Sequence, residues 1–135
     1  MKFEELYVGQ KASLQKTYTA ADVTAFAGIS LDVNPIHMSD VAGKNSIFGK
    51  RVVHGMLTAG LISAVLGNQL PGPGTIYLGQ DLKFLLPVYL NDDITAEVEI
   101  IEIRAEKKIV KLSTTCTNQD GKTVISGTAT VKFNG

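Results

Sequence analysis

Asp32 and His37 stand near the two ends of the segment SLDVNPIH, residues 30 to 37. On a regular helix, side chains five apart point in different directions. Pro35 cannot occupy an ordinary helix interior, so the sequence predicts a loop in which the two groups can converge. Pro35 also fixes its own φ and biases Asn34 toward extended geometry, which lowers the entropy of holding both side chains in one arrangement. An ionised carboxylate beside an imidazole can hold one water and move its proton. The plainer alternative is an Asx-type turn at Asp32, with Asn34-Pro35 as loop punctuation and His37 at the surface. Spacing alone favours the plainer one.

His54-Gly55 opens a long apolar stretch, residues 54 to 70. The first amides of a helix lack intrahelical acceptors and carry partial positive charge. The amide of Gly55 can therefore meet an oxygen that becomes negative during reaction, with no side chain to keep a ligand from the backbone. Equally, Gly55 could be only a flexible helix entry, with His54 its neighbour in the core. Ser63, two turns further on, has two readings: a hydroxyl bonded back to the preceding turn, or a hydrogen bond to a substrate or catalytic side chain. No His/Asp partner lies at a spacing that supports a serine nucleophile. Cys116 alternates inward on a strand and reads as a small core residue.

The elements that must position these groups follow from periodicity. KASLQKTY, residues 11 to 18, alternates as a strand with Ala12, Leu14 and Tyr18 on one side, interrupted by Lys16. Thr19 and Asp22 form a capping-box pattern ahead of a short helix that presents Val23, Phe26 and Ala27 and stops at Gly28. Residues 38 to 50 lack a clear period and predict loop or broken helix. The stretch from His54 to Leu70 is apolar or small on every face, which predicts a helix at the centre of the fold. Its glycines Gly60 and Gly67 each cost up to about 1 kcal/mol of helix propensity, which close backbone packing would offset.

Four long alternations follow. TIYLGQDLKFLL sets Ile76, Leu78, Leu82, Phe84 and Leu86 on one face. ITAEVEIIEIR sets Ile94, Ala96, Val98 and Ile100 inward, then shifts phase to Ile101 and Ile103, the mark of a bulge in a curved sheet. IVKLSTTCT turns Val110, Leu112 and Cys116 inward. After a turn over residues 118 to 121, TVISGTATVKF does the same with Ile125, Ala129, Val131 and Phe133, so the last two strands predict a hairpin. Strand, helix, loop, buried helix and four closely connected strands make an α+β domain, a curved antiparallel sheet around one helix.

A chain of 135 residues that is 44% hydrophobic suits one domain with one core. Thirteen basic residues against thirteen acidic give no long-range field for nucleic acid or an anionic membrane surface. Aromatic and basic residues are not interleaved, which argues further against nucleic-acid binding. From Val52 to Gln80 there is no charged side chain, but Asn68, Gln69 and PGPG leave fewer than the roughly 20 apolar residues a spanning helix needs. LPGPGTIYLGQ follows a helix rather than a strand and reads as a turn, not a phosphate loop. The N-terminal MKFEELYVGQ has no apolar core of a secretory signal, and the single cysteine cannot form an intrachain disulfide. A reducing cytoplasm is the expected location. No Cys/His grouping has zinc-ligand spacing, so no metal is expected.

DVNPIH, then VVHGML, then LPGPGTIYLGQDLKFLLPV and the closing GTATVKF together resemble the R-specific 2-enoyl-CoA hydratases, single-domain members of the MaoC-like dehydratase family. DxNPxH followed by HGM at the head of an apolar helix is a specific combination, and it reverses the balance struck on spacing alone. The resemblance implies a hot-dog fold and reversible addition of water to a trans-2-enoyl-CoA to give an (R)-3-hydroxyacyl-CoA. It implies Asp32 and His37 as the catalytic dyad, the Gly55 amide as the thioester oxyanion donor, and Ser63 as a substrate-side residue near the dyad. It also implies an acyl-CoA substrate, no cofactor and a homodimer with sites close to the subunit interface. Lys50 and Arg51 are candidates for the CoA phosphates only through their nearness to His54. Two rivals share the fold: a thioesterase using the same helix-terminal amide, and a non-catalytic acyl-binding module.

Overall fold

The computed structural model describes residues 1–135. Six antiparallel strands form one sheet: β1 (Lys11–Thr17), β2 (Thr75–Gln80), β3 (Lys83–Phe84), β4 (Asp93–Arg104), β5 (Ile109–Thr117) and β6 (Thr123–Phe133). Their order is β1-β4-β5-β6-β2, with β3 also paired to β6. Helix α4 (Gly55–Asn68) lies in the concavity, packed against β4, β1 and β5. This is the α+β arrangement expected, a curved sheet around a helix.

Ile94, Ala96, Val98 and Ile100 of β4, with Val110, Leu112 and Cys116 of β5, are fully buried in a core of 24 residues that includes Ile62, Val65 and Leu66 of α4. Alternation at period 2 therefore did mark the core face of these strands. The register of β4 on β5 shifts between Ile100 and Glu102, and Ile101, the extra residue, faces out while Ile103 packs on the core. The phase change in the sequence is that bulge. Burial also raises the Cys116 thiol to about 12.

Helix α1 (Ala20–Ser30) begins with the expected capping box: the Thr19 hydroxyl accepts from the Asp22 amide at 3.2 Å, and the Asp22 carboxylate accepts from the Thr19 amide at 2.9 Å. The helix does not stop at Gly28. It runs to Ser30 and ends where Leu31 turns left-handed at φ 67°, its amide on the Ala27 carbonyl at 2.9 Å.

Other expectations on the apolar segments need correction. TIYLGQDLKFLL is two strands broken at Asp81, where the chain crosses so close to Gly127 that a side chain there would strike the Asp81 carbonyl. Its Ile76, Leu78, Phe84 and Leu86 are about half exposed, because α4 covers the middle of the sheet and leaves this edge open. Helix α4 is not buried all round either. Met56, Gly60, Ser63 and Gly67 form an exposed stripe, and Gly60 and Gly67 have no neighbour that a methyl group would meet. Close packing within the chain does not explain those two glycines.

Candidate active site

The Asp32 to His37 segment is held by a ladder of side-chain acceptors, each reaching two residues on. Ser30 Oγ accepts from the Asp32 amide at 3.1 Å, Asp32 Oδ1 from the Asn34 amide at 3.3 Å, and Asn34 Oδ1 from the Ile36 amide at 3.2 Å. Such local bonds compete with helix and fix turns. Pro35 then begins a single helical turn, α2 (Pro35–Met38), followed by α3 (Asp40–Lys44). His37 is thus in a one-turn helix rather than a loop, and it is buried rather than at the surface. The Asx turn at Asp32 is real, but it accompanies the convergence of the two groups and does not replace it.

The segment from Arg51 to His54 clasps this turn by four hydrogen bonds. The Val52 amide donates to the Ile36 carbonyl at 3.2 Å, and Arg51 Nε donates to the His37 carbonyl at 2.9 Å. His37 Nδ1 lies 2.7 Å from the Val52 carbonyl, and His54 Nε2 lies 2.9 Å from the Asp32 carbonyl. A carbonyl only accepts, so these partners assign the proton to Nδ1 of His37 and to Nε2 of His54. Nε2 of His37 is left as a free lone pair.

The two imidazoles stack with centroids 3.9 Å apart, and Phe26 of α1 meets His54 edge-on at 4.9 Å. One ligand atom each of Asp32, His37 and His54 falls within 4.8 Å of the others. A carboxylate oxygen and a ring nitrogen at that range can share one water at ordinary hydrogen-bond lengths. Sequence spacing did not disclose this three-residue cluster. In the sequence His54 reads as a core neighbour of Gly55 and as part of the HGM motif, 22 positions from Asp32.

These groups line a cleft of about 380 Å³, in which ten of fifteen lining residues are hydrophobic. That size and character suit a small-molecule site. Gly55 lies at the cleft as the first residue of α4, and a side chain there would come within 2.6 Å of the Phe84 ring. Asp32, His37 and Gly55 are therefore brought together. Ser63 is not. It is exposed on the open stripe of α4 and lines a second depression with Tyr77, Leu78 and Gln80. Arg51 is taken up by the His37 carbonyl and by Asp40 at 3.5 Å, and Lys50 lies over the Tyr89 ring at 4.4 Å.

No helix is long and apolar enough to cross a membrane. The family model described as MaoC like domain matches residues 5–130. An (R)-specific enoyl-CoA hydratase of Rhodospirillum rubrum is 50% identical over 96% of this chain and 89% of its own. A 3-hydroxybutyryl-CoA dehydratase of Methylorubrum extorquens is 45% identical over 96% of this chain and 82% of its own. Among solved structures, the (R)-hydratase from Aeromonas caviae superposes with a TM-score of 0.94 at 48% identity, covering 96% of this chain and 98% of that one. In sequence and in its hot-dog fold alike, the chain belongs to the MaoC-like family of dehydratases.

Proposed function

We propose that this protein is a hydro-lyase that adds water reversibly to trans-2-enoyl-CoA and forms (R)-3-hydroxyacyl-CoA. The observation that carries the reading is that the Asp32 carboxylate and the His37 ring share one apolar cleft with Gly55, the first residue of α4.

Water is a poor nucleophile. The pair must hold it, aim it at C3 and accept its proton, a contribution of about 10²- to 10⁴-fold. His37 Nε2 is the basic atom because Nδ1–H is spent on Val52, and the Asp32 carboxylate orients the second hydrogen. As the C3–O bond forms, electrons move through C2 to the thioester oxygen. The Gly55 N–H, at the positive end of α4, stabilises that oxygen. The proton taken from water then returns to C2, so atoms balance with no other reagent. The apolar walls exclude bulk water and receive the acyl chain.

The second part of the reading is a homodimer. Both faces of β2 are open, with Ile76 49%, Tyr77 40% and Leu78 54% exposed on an edge strand. Unpaired apolar edges of this kind invite a second strand.

Crotonyl-CoA mixed with the purified protein tests the activity. Enoyl absorbance should fall without release of free thiol. Thiol release with the double bond retained would instead make the protein a thioesterase.

A further inference from the structure

We propose that His54 is a positioning residue that keeps the water-activating pair and the oxyanion amide in register, in one fixed neutral tautomer; this rests on the dyad reading above. His54 is only 1% exposed, yet it contacts both Asp32 and His37 and immediately precedes Gly55. Its Nε2–H holds the Asp32 carbonyl at 2.9 Å, gripping the backbone of that residue and taking up neither oxygen of its carboxylate. Its ring face stacks on His37 at 3.9 Å, limiting how far that ring can tilt. Its own carbonyl accepts from the Leu57 and Thr58 amides at 3.1 and 3.2 Å, which starts α4 and fixes where the Gly55 amide lies.

The second nitrogen supplies an independent sign. His54 Nδ1 is buried and has no hydrogen-bond partner. An unpaired buried acceptor is a cost, and an apolar ring would fill this space against Phe26 and His37 without it. What the imidazole offers over such a ring is the single donor at Nε2. Asp32 sits in an exposed turn just after a left-handed residue, at the end of the segment away from the bonds that Arg51 and Val52 make to Ile36 and His37, so that donor is the tether at Asp32 itself, where the chain is otherwise held by its local ladder. His54 does not reach the reacting atoms with a free nitrogen. It acts through Asp32 and His37.

Two variants separate the donor from the ring. His54→Phe keeps the stack and removes the donor, whereas His54→Gln loses the stack and keeps an N–H able to reach the Asp32 carbonyl. On crotonyl-CoA, His54→Phe should lower kcat on the order of 10²-fold with KM little changed, since misplacement by an ångström costs about that much. His54→Gln should regain about tenfold or more over His54→Phe. Asp32→Asn, measured beside them, guards the underlying reading. If His54→Phe turns over like the unchanged protein while Asp32→Asn is inactive, the role of His54 falls and the dyad stands. Full activity of Asp32→Asn sinks both, and a Gln variant no better than Phe sinks the tether.

Nitrogen-15 NMR of the unchanged protein needs no variant to fold. With two histidines in the chain, two ring patterns are expected, His54 protonated at Nε2 only and His37 at Nδ1 only. A proton on Nδ1 of His54 at neutral pH overturns the proposal.

Discussion

Asp32 is exposed and His37 buried, and the two need different supports. The carboxylate is oriented by a turn of i to i+2 bonds, whereas the imidazole is fixed by a carbonyl on a separate segment, 15 residues on. The first support could be read in the order of residue types, because Asp, Asn and Pro at these spacings make turns by local bonding. The second could not, since nothing in the sequence says which carbonyl will face a ring. Ser63 shows the same limit from the other side: it occupies a suggestive place along the chain, and helical rotation carries it to a face away from the cleft. Gly55 gives a prediction at this scale. A methyl group there would lie 2.6 Å from the Phe84 ring, so that ring must shift beside the proposed oxyanion amide. Gly55→Ala should fold, since the group its methyl meets is the side chain of Phe84, and should lose kcat/KM on the order of 10²-fold, the scale of an ångström of misplacement. Steady-state kinetics with a thermal melt check both, and undiminished kcat/KM would show that the reaction does not need the space beside Gly55 kept clear.

Among the elements, β4, β5 and β6 were legible because most of one face of each is covered, so residues that are mostly apolar recur there at every second position. The segment that became β2 and β3 has the same alternation without the burial, and periodicity cannot distinguish a face that meets the core from one left open at a sheet edge. Gly28 was misleading for a similar reason: a glycine ends a helix only if the chain turns there, and it turns at Leu31 instead. The capping box of α1 has a consequence in pH. Hydrogen bonding from the Thr19 amide, above all, holds the Asp22 carboxyl below its ordinary range, with Lys16 adding to the effect. A lowered folded-state value means the charged form stabilises the fold above the ordinary carboxylate range, and that contribution fades as pH falls through the folded value. Asp22→Ala should therefore cost on the order of 0.3–1 kcal/mol at pH 7, and less in acid. Urea unfolding at pH 7 and pH 3 measures the difference. An equal loss at both would show that charge is not what the box supplies.

For the whole molecule, a single core wraps α4 while one edge of the sheet and one stripe of that helix stay apolar and open. Ile76, Leu78, Phe84 and Met56 are each about half exposed or more, on a chain whose other sheet edge, β1, carries Lys11, Gln15 and Lys16 outward. For the proposed dimer, that asymmetry favours β2 over β1 as the self-complementary contact. Light scattering should give about twice the chain's 14.4 kDa, and Leu78→Asp should shift it toward the monomer. A monomer for the unchanged protein would overturn the dimer. The claim on which the rest hangs is that Asp32 and His37 together activate water. Its most direct test is crotonyl-CoA hydration by Asp32→Asn and His37→Gln, each shown folded by its melting transition. In both, kcat should fall by about 10²-fold or more. Turnover equal to that of the unchanged protein in either folded variant would contradict it.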